Sequence, residues 1–513
     1  MQPNSKYLLV YSILIILLFW IGKPQDYLWD DELLIKLNPW KEDPTALLQL
    51  WRWDLWHEIP GEHFHSWYRP IMALHIWIDQ WLFGDALLPK QGISLLWYLG
   101  LLITLPKYLT HLKISAQQQF LAIPMIVLHP FQMELLYFIA ARNDTMVLCF
   151  SLWAILSRQI LVKAILILLA LLTKESALVL FPLLLLLNWS QNLEYKQSTA
   201  LFCGLALCYL GWTQYLDLET FTPNFKGILP IITQYYSGLL WSFQYTTANY
   251  PTDFSFVGFF IAMSLSFIPL LSPQSKSKWL LWIGGCIFLV IGALAANASL
   301  SLSYRYANIS IFFFSILLSG HLLHRFNPTA LLTIIVGLYS IGIFANRKQW
   351  QHSTQLWQES HLRLPSSHTA CGWFMQSQNE PEFALELLQQ AITAPPSQHC
   401  CFQASRFTLK HFGPQSALDF GSTALNNGCL ASPEVLAPMA LSHTLIGNWE
   451  QGFALANQLQ RDPFGYSPVI IVAFELRNGQ TEALKHWSKT PEEYDMLYQK
   501  ATQLIQQSQQ STP

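Results

Sequence analysis

The sequence is poor in charge. Only 12% of its 513 residues are Asp, Glu, Lys or Arg, whereas a soluble domain carries about 25%. The formal net charge is −2, which gives no strongly basic surface of the kind that nucleic acid requires. With 52% hydrophobic residues, this shortage of charge predicts that much of the chain lies in lipid.

Paired cysteine motifs are also missing. The eight cysteines form no C-x-x-C pair and no zinc-ligand spacing. Four lie in apolar segments, where we expect small core residues: Cys149, Cys203, Cys208 and Cys286. The others could form disulfides if they face an oxidising compartment, although helical repeats also bury free cysteine; they are Cys371, Cys400, Cys401 and Cys429.

Long apolar runs recur from Tyr7 to about Ala345. They approach or exceed the roughly 20 residues that cross a bilayer, and we predict about 11 to 13 spans. The first, Tyr7 to Gly22, is followed by no small-residue cleavage site, which favours a retained anchor. The other clear runs are Leu161 to Leu172, Ala177 to Trp189, Phe254 to Leu271, Trp279 to Ala296 and Leu331 to Phe344. Residues 1–345 are therefore predicted to form an α-helical membrane domain.

A polar, tryptophan-rich loop at about 23–68 follows the first span. Its segment Thr45 to Glu58 has the pattern of an amphipathic helix at the membrane interface. The loop also contains metal-ligand residue types, but their spacing matches no known cage, so we expect polar lining of a site, with His65 among it, rather than a metal ion. These residues are His57, Glu58, Glu62, His63 and His65.

Residues 346–513 have a different pattern, with Gln-rich segments and regularly spaced small residues. Gly413 and Gly447 are 34 residues apart, and Gly479 follows 32 later. This period predicts about four tetratricopeptide-like helical hairpins, with a generic right-handed helical solenoid as the alternative. A small residue follows each glycine: Ala417, Gly452 and Ala483.

Three acids, Asp30, Asp31 and Glu32, follow the first span directly. At a membrane surface, repulsion between like charges and partial desolvation raise the pKa of one acid, which can then act as a general base. The alternative is a solvated acidic turn.

Charged residues also interrupt the apolar core. Lys174 and Glu175 stand in a Leu-rich run, where a lysine costs roughly 2.5 to 3.5 kcal/mol on insertion scales. Adjacent residues point to different sides of a helix, so Glu175 is a poor partner and a lipid phosphate is a better one. Arg305 with Tyr306 offers a second cation beside an aromatic ring, unless it only flanks a span.

The order of these motifs resembles the transmembrane and tetratricopeptide-repeat O-mannosyltransferases of the GT-C superfamily, and more distantly the protein O-mannosyltransferases and the aminoarabinose transferases of lipid A. Five elements carry the resemblance: Trp29-Asp30-Asp31, Ser66-Trp67-Tyr68-Arg69-Pro70, the stretch HPFQMELLYFIAARND from His129, Leu172-Thr173-Lys174-Glu175, and Asn346-Arg347-Lys348-Gln349-Trp350. The Lys-Glu step lacks the glycine that usually follows it.

The resemblance implies a polytopic GT-C-like bundle that moves one sugar, with inversion, from a polyprenyl-phosphate or dolichyl-phosphate donor to a Ser or Thr hydroxyl. Asp30 would be the base and Asp31 would position the acceptor. Arg142, Lys174, Arg305 and Tyr306 would hold the donor phosphate. The substrate-binding residues would be Glu134, Asp144, His65, Tyr68, Arg69 and Glu175.

The implied partners are a membrane lipid carrier and an extracytoplasmic protein, for example a pilin, docked on the repeats. The implied location is a bacterial inner membrane or the endoplasmic reticulum, with the active site and repeats outside the cytoplasm. Arg347 and Lys348 argue for a cytoplasmic tail under the positive-inside rule. Two other functions stay open: transfer to a glycan or lipid acceptor, and a polytopic transporter or scaffold.

Overall fold

The computed structural model describes residues 5–28, 30–36, 38, 40, 43–53, 55, 67–191, 196–216, 228–240, 264, 267–271, 276–298, 307–323, 325–363, 367–393, 396–459, 465–488 and 490–510. Every regular element within these ranges is a helix, as predicted. The chain divides into two compact units, Met1–Glu359 and Ser360–Pro513.

The first unit is built from apolar helices around one hydrophobic core. Its α-helices are α1 (Ser5–Gly22), α2 (Ala46–Gln49), α3 (Pro70–Phe83), α4 (Leu87–His111), α5 (Ala116–Val127), α6 (Met133–Tyr137), α7 (Arg142–Leu156), α8 (Ile160–Thr173), α9 (Ala177–Ser190), α10 (Lys196–Tyr215), α11 (Ile228–Leu240), α12 (Lys276–Ala298), α13 (Asn308–Leu323) and α14 (Pro328–Asn346). Helix α15 (Ser353–Arg363) contains the division between the units.

Four helices in the described ranges are long and apolar enough to cross a membrane: Leu87–His111, Ile139–Leu156, Ser277–Ala295 and Pro328–Trp350. The pair Ala116–Val127 and Pro130–Tyr137, bent by 53°, adds a fifth if it is one span. Shorter apolar helices are Tyr7–Gly22, Ile160–Thr173, Ala177–Ser190 and Asn308–Leu323. The described ranges thus fall short of about 11 to 13 full spans, since several apolar runs form helices below the roughly 20 residues required. Most of the run Phe254 to Leu271 lies outside them.

The Leu-rich run around Lys174 is two helices. Helix α8 ends at Thr173, Lys174 adopts the extended conformation with φ −162° and ψ 138°, and α9 begins at Ala177. An extended residue sends successive side chains to opposite sides. The break therefore lets Lys174 and Glu175 find separate partners.

The predicted interfacial helix from Thr45 to Glu58 is much shorter in the structure. Helix α2 covers only Ala46–Gln49, and turns follow it to Trp53. Four residues form a single turn, which gains few of the hydrogen bonds that stabilise a helix. Residues 56–66, with the predicted His65, lie outside the described residues.

The second unit is made of helices of 6 to 20 residues. They are α16 (Ser367–Gln376), α17 (Pro381–Ala391), α18 (Gln398–Phe412), α19 (Pro414–Asn426), α20 (Pro433–Leu445), α21 (Trp449–Gln458), α22 (Tyr466–Arg477), α23 (Glu482–Trp487) and α24 (Pro491–Gln510). Two hydrophobic clusters form its interior.

The periodic glycines lie between helices, as their spacing predicted. Gly413, Gly447 and Gly479 have φ of +88°, +88° and +76°, a left-handed region in which glycine avoids the steric cost of a Cβ. Gly452 serves close packing instead. A Cβ there would collide with Thr444 Oγ1 and lie 2.9 Å from the Ala440 carbonyl oxygen, so α20 and α21 can approach only with glycine at this position.

The cysteines of the second unit are paired. Cys371 is bonded to Cys400 and Cys401 to Cys429, with Cα atoms 5.6 and 5.8 Å apart. These bonds connect α18 with α16 and with the turn after α19. The sequence had left open whether these cysteines are paired or free, and the structure shows disulfides.

The cysteines of the first unit are free, and only one of them is buried. Cys149 lies in the core, as predicted, and Cys286 is half-buried. Cys203 and Cys208 are exposed, so the prediction that they are core residues was wrong. Both lie on α10 in an apolar sequence whose outer face is itself apolar, as Leu207 shows with 70% exposure.

Candidate active site

Asp31 is anchored at the start of a long helix. Its carboxylate accepts hydrogen bonds from the backbone N–H groups of Ile139 (2.8 Å) and Ala140 (2.7 Å), and the residue is 1% exposed. These N–H groups begin the helical stretch Ile139–Leu156, where unpaired donors and the helix dipole favour a negative charge. Asp31 is thus fixed by main-chain groups.

Asp30 is half-buried, beside the enclosed Asp31. The pair predicted from the sequence therefore has two environments: one carboxylate is bound to the protein on both oxygens, and the neighbouring residue is partly open. This division of labour suits a base next to a positioning group. Trp29, the first residue of the Trp29-Asp30-Asp31 motif, lies outside the described residues.

Arg142 faces the protein interior. It is fully buried, and its three guanidinium nitrogens contact Asp79 Oδ2 (2.7 Å), Ser94 Oγ (3.0 Å) and the Lys90 carbonyl oxygen (2.7 Å). The arginine joins the start of α7 to α3 and α4. This geometry fits an internal ion pair, whereas the sequence had predicted a ligand of the donor phosphate.

A second buried cation, Lys90, belongs to the same network. Its Nζ donates to Gln80 Oε1 (2.7 Å) and to the Tyr27 hydroxyl (3.2 Å). Our sequence analysis missed both Lys90 and Asp79. The available signal was a charge inside an apolar helix, since such residues face partners.

Lys174 pairs with Asp144. Its Nζ lies 2.6 Å from Asp144 Oδ1, with side-chain exposures of 8% and 4%. The sequence had predicted a phosphate as the partner of this lysine. In the structure a carboxylate of the protein itself lies there, and the role of Lys174 towards a phosphate stays a prediction. Asp144 Oδ2 is buried and has no hydrogen-bond partner among the described residues.

Glu175 turns towards Arg69. Two hydrogen bonds join them, from Arg69 Nε to Oε2 (2.9 Å) and from Nη2 to Oε1 (2.6 Å), and the guanidinium lies 4.8 Å from the centre of the Trp67 ring. Burial would raise the pKa of Glu175, but Arg69, the hydrogen bonds and the charge of Lys174 outweigh burial and lower it. Both side chains remain partly open, at 13% for Arg69 and 35% for Glu175.

Tyr68 organises an aromatic groove next to this pair. Its hydroxyl donates to the Trp51 carbonyl oxygen (2.9 Å) and accepts from Trp212 Nε1 (2.9 Å). The groove encloses about 340 Å³, and its walls include Trp51, Tyr68, Leu168, Leu172, Tyr209 and Trp212.

The other residues predicted from the sequence are buried or lie outside the described residues. Glu134 is 2% exposed on α6, while Arg305 and Tyr306 lie outside the described residues. The structure does bring four predicted residues together at the amino-terminal end of α7. Arg142 and Asp144 lie in its first turn, and Asp31 accepts hydrogen bonds from the turn that precedes it. Lys174, from the break after α8, pairs with Asp144.

No protein-family model matches the chain, and no solved structure matches it. A stretch of 173 residues, 32% of the chain, is 25% identical to Protein O-mannosyl-transferase F38B6.6 of Caenorhabditis elegans. The match covers 25% of the length of that protein. The similarity is thus partial, and it agrees with the resemblance drawn from the motifs.

Proposed function

We propose that this protein is a membrane glycosyltransferase of GT-C type that moves one sugar from a polyprenyl-phosphate donor to a Ser or Thr hydroxyl of an extracytoplasmic protein. The observation that carries the proposal is the pairing of Asp30 and Asp31, one half-buried and one anchored by the amides of Ile139 and Ala140. The partial similarity to an O-mannosyltransferase supports the same chemistry.

In the proposed reaction Asp30 is the base. The acceptor hydroxyl oxygen attacks the anomeric carbon as its proton passes to the Asp30 carboxylate, and the bond from that carbon to the phosphate oxygen breaks with its electrons going to the phosphate. Asp31 holds the loop to the helix start, so Asp30 keeps its position through the step. Attack opposite the departing phosphate inverts the sugar.

Contacts within the first unit support a position of the acidic loop and of the segment after α14 on one membrane face. The Gln25 N–H donates to the Gln351 carbonyl oxygen (2.8 Å), and Asp26 lies 2.7 Å from His352 Nδ1. The segment after α1, which leads into the acidic loop, therefore meets the segment after α14. The two disulfides of the second unit fit an oxidising compartment, which supports an extracytoplasmic location of that unit.

Arg347, one of the two basic residues after α14, has a local contact that is independent of topology. Arg347 donates to the Phe344 carbonyl oxygen (2.7 Å), and its guanidinium lies over the Phe344 ring. A cation at this position satisfies a carbonyl at the helix end and complements the helix dipole. The charge thus has a local role apart from topology.

We assign the second unit to acceptor binding, as a tetratricopeptide-like array. The left-handed glycines between its helices and the close approach at Gly452 are features of stacked helical hairpins. Such arrays commonly bind extended segments, and these present Ser and Thr hydroxyls.

The test is mass spectrometry of extracytoplasmic proteins from cells that carry the Asp30→Asn chain. We expect loss of one sugar mass from Ser or Thr residues of at least one protein. Glu32→Gln, two residues away, is the matched control and should leave that sugar in place. An unchanged glycoprotein profile with a well-expressed Asp30→Asn chain would refute the proposal. Loss of a sugar from a lipid or glycan fraction alone would refute the protein acceptor.

A further inference from the structure

A second groove lies between α4, α7 and α8, at the end of α7 that is opposite the candidate active site. It encloses about 410 Å³, within the roughly 300 to 1,000 Å³ of ligand pockets. Arg142 begins α7 and Leu156 ends it, and a helix of 15 residues is about 22 Å long. The groove is therefore separate from the acidic loop. We refer to it as the Lys107 groove, after the cation that lines it beside Trp153, Ser157, Val162 and Leu166.

The back wall of the Lys107 groove is fixed by an aromatic side chain. Trp153 Nε1 donates to Thr104 Oγ1 (2.6 Å), and the Thr104 hydroxyl donates to the Gly100 carbonyl oxygen (2.7 Å). The Trp153 ring is stacked on Trp97, with 5.9 Å between ring centroids. Because the wall is already ordered, a ligand that binds to it pays little for fixing side chains.

The groove is polar at one end and apolar at the other. Lys107 and Ser157 lie at the carboxy-terminal ends of α4 and α7, whereas Leu166 is deeper, six residues into α8 and about 9 Å along its axis. The outer surface beside the groove is apolar and exposed, as Ile103 and Leu161 show with 53% and 69%. Such a surface marks contact with lipid or a partner. A ligand with a polar head and an apolar chain fits this gradient.

The polar end of the groove is positively charged. Residues 86–133 and 145–173 contain no Asp or Glu, so α4, α5 and α8 have no acid of their own. The cations at this end are Lys107, Lys113, Arg158 and Lys163. The Lys107 ammonium has no hydrogen-bond or ion-pair partner among the described residues. A zwitterionic headgroup would bring its own ammonium close to these cations, whereas an anionic headgroup would only be attracted.

We infer that the Lys107 groove binds an anionic phospholipid, with the phosphate on Lys107 and an acyl chain along Trp153 and Leu166. The inference requires that the chain lie in a membrane, and it does not depend on the proposed sugar transfer. The lipid links α4, α7 and α8 at one end. Arg142 and Lys174 lie at the opposite ends of α7 and α8, so the lipid supports the helices that position the candidate active site.

Alkylation of a cysteine placed in the groove is the assay. Val162 lines the groove, whereas its neighbour Leu161 is exposed and is not one of the lining residues. Val162→Cys is therefore the reporter and Leu161→Cys the matched control. We would place the full chain in phosphatidylcholine nanodiscs with a rising fraction of phosphatidylglycerol, add a membrane-permeant maleimide and quantify each modified thiol by mass spectrometry. We expect phosphatidylglycerol to slow alkylation of Val162→Cys and to leave Leu161→Cys and the exposed native Cys203 unchanged.

Two lysines at the same end separate a site from a charged surface. Lys107→Gln should raise the fraction of phosphatidylglycerol that half-protects Val162→Cys by about tenfold, the loss of a charge-assisted hydrogen bond. Lys113→Gln removes the same charge outside the groove and should change that fraction by less than about twofold, because exposed charges are screened. Lys107→Arg keeps the charge and should restore protection, which guards against misfolding of Lys107→Gln.

Several results would overturn the inference. Equal effects of Lys107→Gln and Lys113→Gln would show attraction to the charged surface instead of a site. Equal protection by phosphatidylethanolamine would remove the role of the charge, and protection by glycerol phosphate in solution would assign the groove to a soluble phosphate. Alkylation of Val162→Cys that does not respond to phosphatidylglycerol would exclude lipid from the groove. None of these measurements involves sugar transfer, so they succeed or fail independently of the proposed function.

Discussion

Replacing Arg142 by methionine should destabilise the first unit strongly. Asp79 and Arg142 form a 2.7 Å ion pair whose side chains are 4% and 0% exposed. Without the guanidinium, the Asp79 carboxylate stays buried beside the single cation Lys90, and the Ser94 hydroxyl and Lys90 carbonyl lose a donor. Breaking a buried pair from one side costs about 3 to 5 kcal/mol, and we expect a loss of that order.

Removing both charges should be less harmful than removing one. In the double variant Asp79→Leu, Arg142→Met, no uncompensated carboxylate remains. Replacing a buried ion pair by apolar residues often leaves the free energy of unfolding unchanged. Lys90 then loses its electrostatic attraction to Asp79, so some loss should persist. Asp79→Leu alone leaves Arg142 and Lys90 as neighbouring buried cations, and this variant should be the least stable.

The assay is thermal unfolding of the purified chain in detergent, followed by alkylation of the buried thiol of Cys149. Arg158→Met is the matched control, because Arg158 is exposed just after α7. The reasoning is refuted if the midpoint temperature of unfolding is the same for Arg142→Met and Arg158→Met. It is also refuted if the effects of the two single changes at Asp79 and Arg142 simply add in the double variant, because a coupled pair must show an interaction energy.

Three further predictions follow from other contacts. Cys400→Ser with Cys401→Ser opens loops whose ends are 29 and 28 residues apart, which should cost about 3 to 4 kcal/mol per bond and abolish the mobility shift of the wild-type chain on reducing gels. Gly452→Ala forces a Cβ into the preceding helix and should destabilise by about 1 to 3 kcal/mol, whereas Gly337→Ala, with open space, should not lower the unfolding midpoint. The pKa of Glu175 is lowered from its ordinary value of 4.5. The difference in free energy of unfolding between wild type and Glu175→Gln should therefore stay constant from pH 7.5 to pH 4.5 and shrink below pH 4.5. A difference that grows on acidification would contradict the ion pair.

The need for a partner at Lys174 could be predicted from sequence, but its identity could not. The cost of burying a lysine in an apolar run is local chemistry. Asp144 is 30 positions away and reaches Lys174 only through the packing of α7 against the break after α8. A phosphate and an internal carboxylate satisfy the same local requirement, so only the tertiary structure separates them.

For Arg142, too, the partner could not be predicted from the sequence. Its position in an apolar stretch predicted a functional residue, and the motif order assigned it to the donor phosphate, whereas the structure shows a buried ion pair with Asp79. Asp79 also stands inside an apolar helix, but it is 63 positions from Arg142, and nothing in the sequence connects the two residues. In the second unit the glycine period predicted the turns, since backbone conformation is local, whereas the disulfides depended on a compartment that the sequence does not state.

One short segment connects the acidic loop with the Arg69–Glu175 pair. Residues 139–144 bind Asp31 through two amides, fix α3 through Arg142 and hold Lys174 through Asp144. Lys174 immediately precedes Glu175, so this segment also sets the position of the counter-ion of Arg69. A displacement of the start of α7 should therefore move the loop of Asp31 and the Arg69–Glu175 pair together, and we expect Arg142→Lys to lower the proposed sugar transfer in the mass-spectrometric assay of extracytoplasmic proteins.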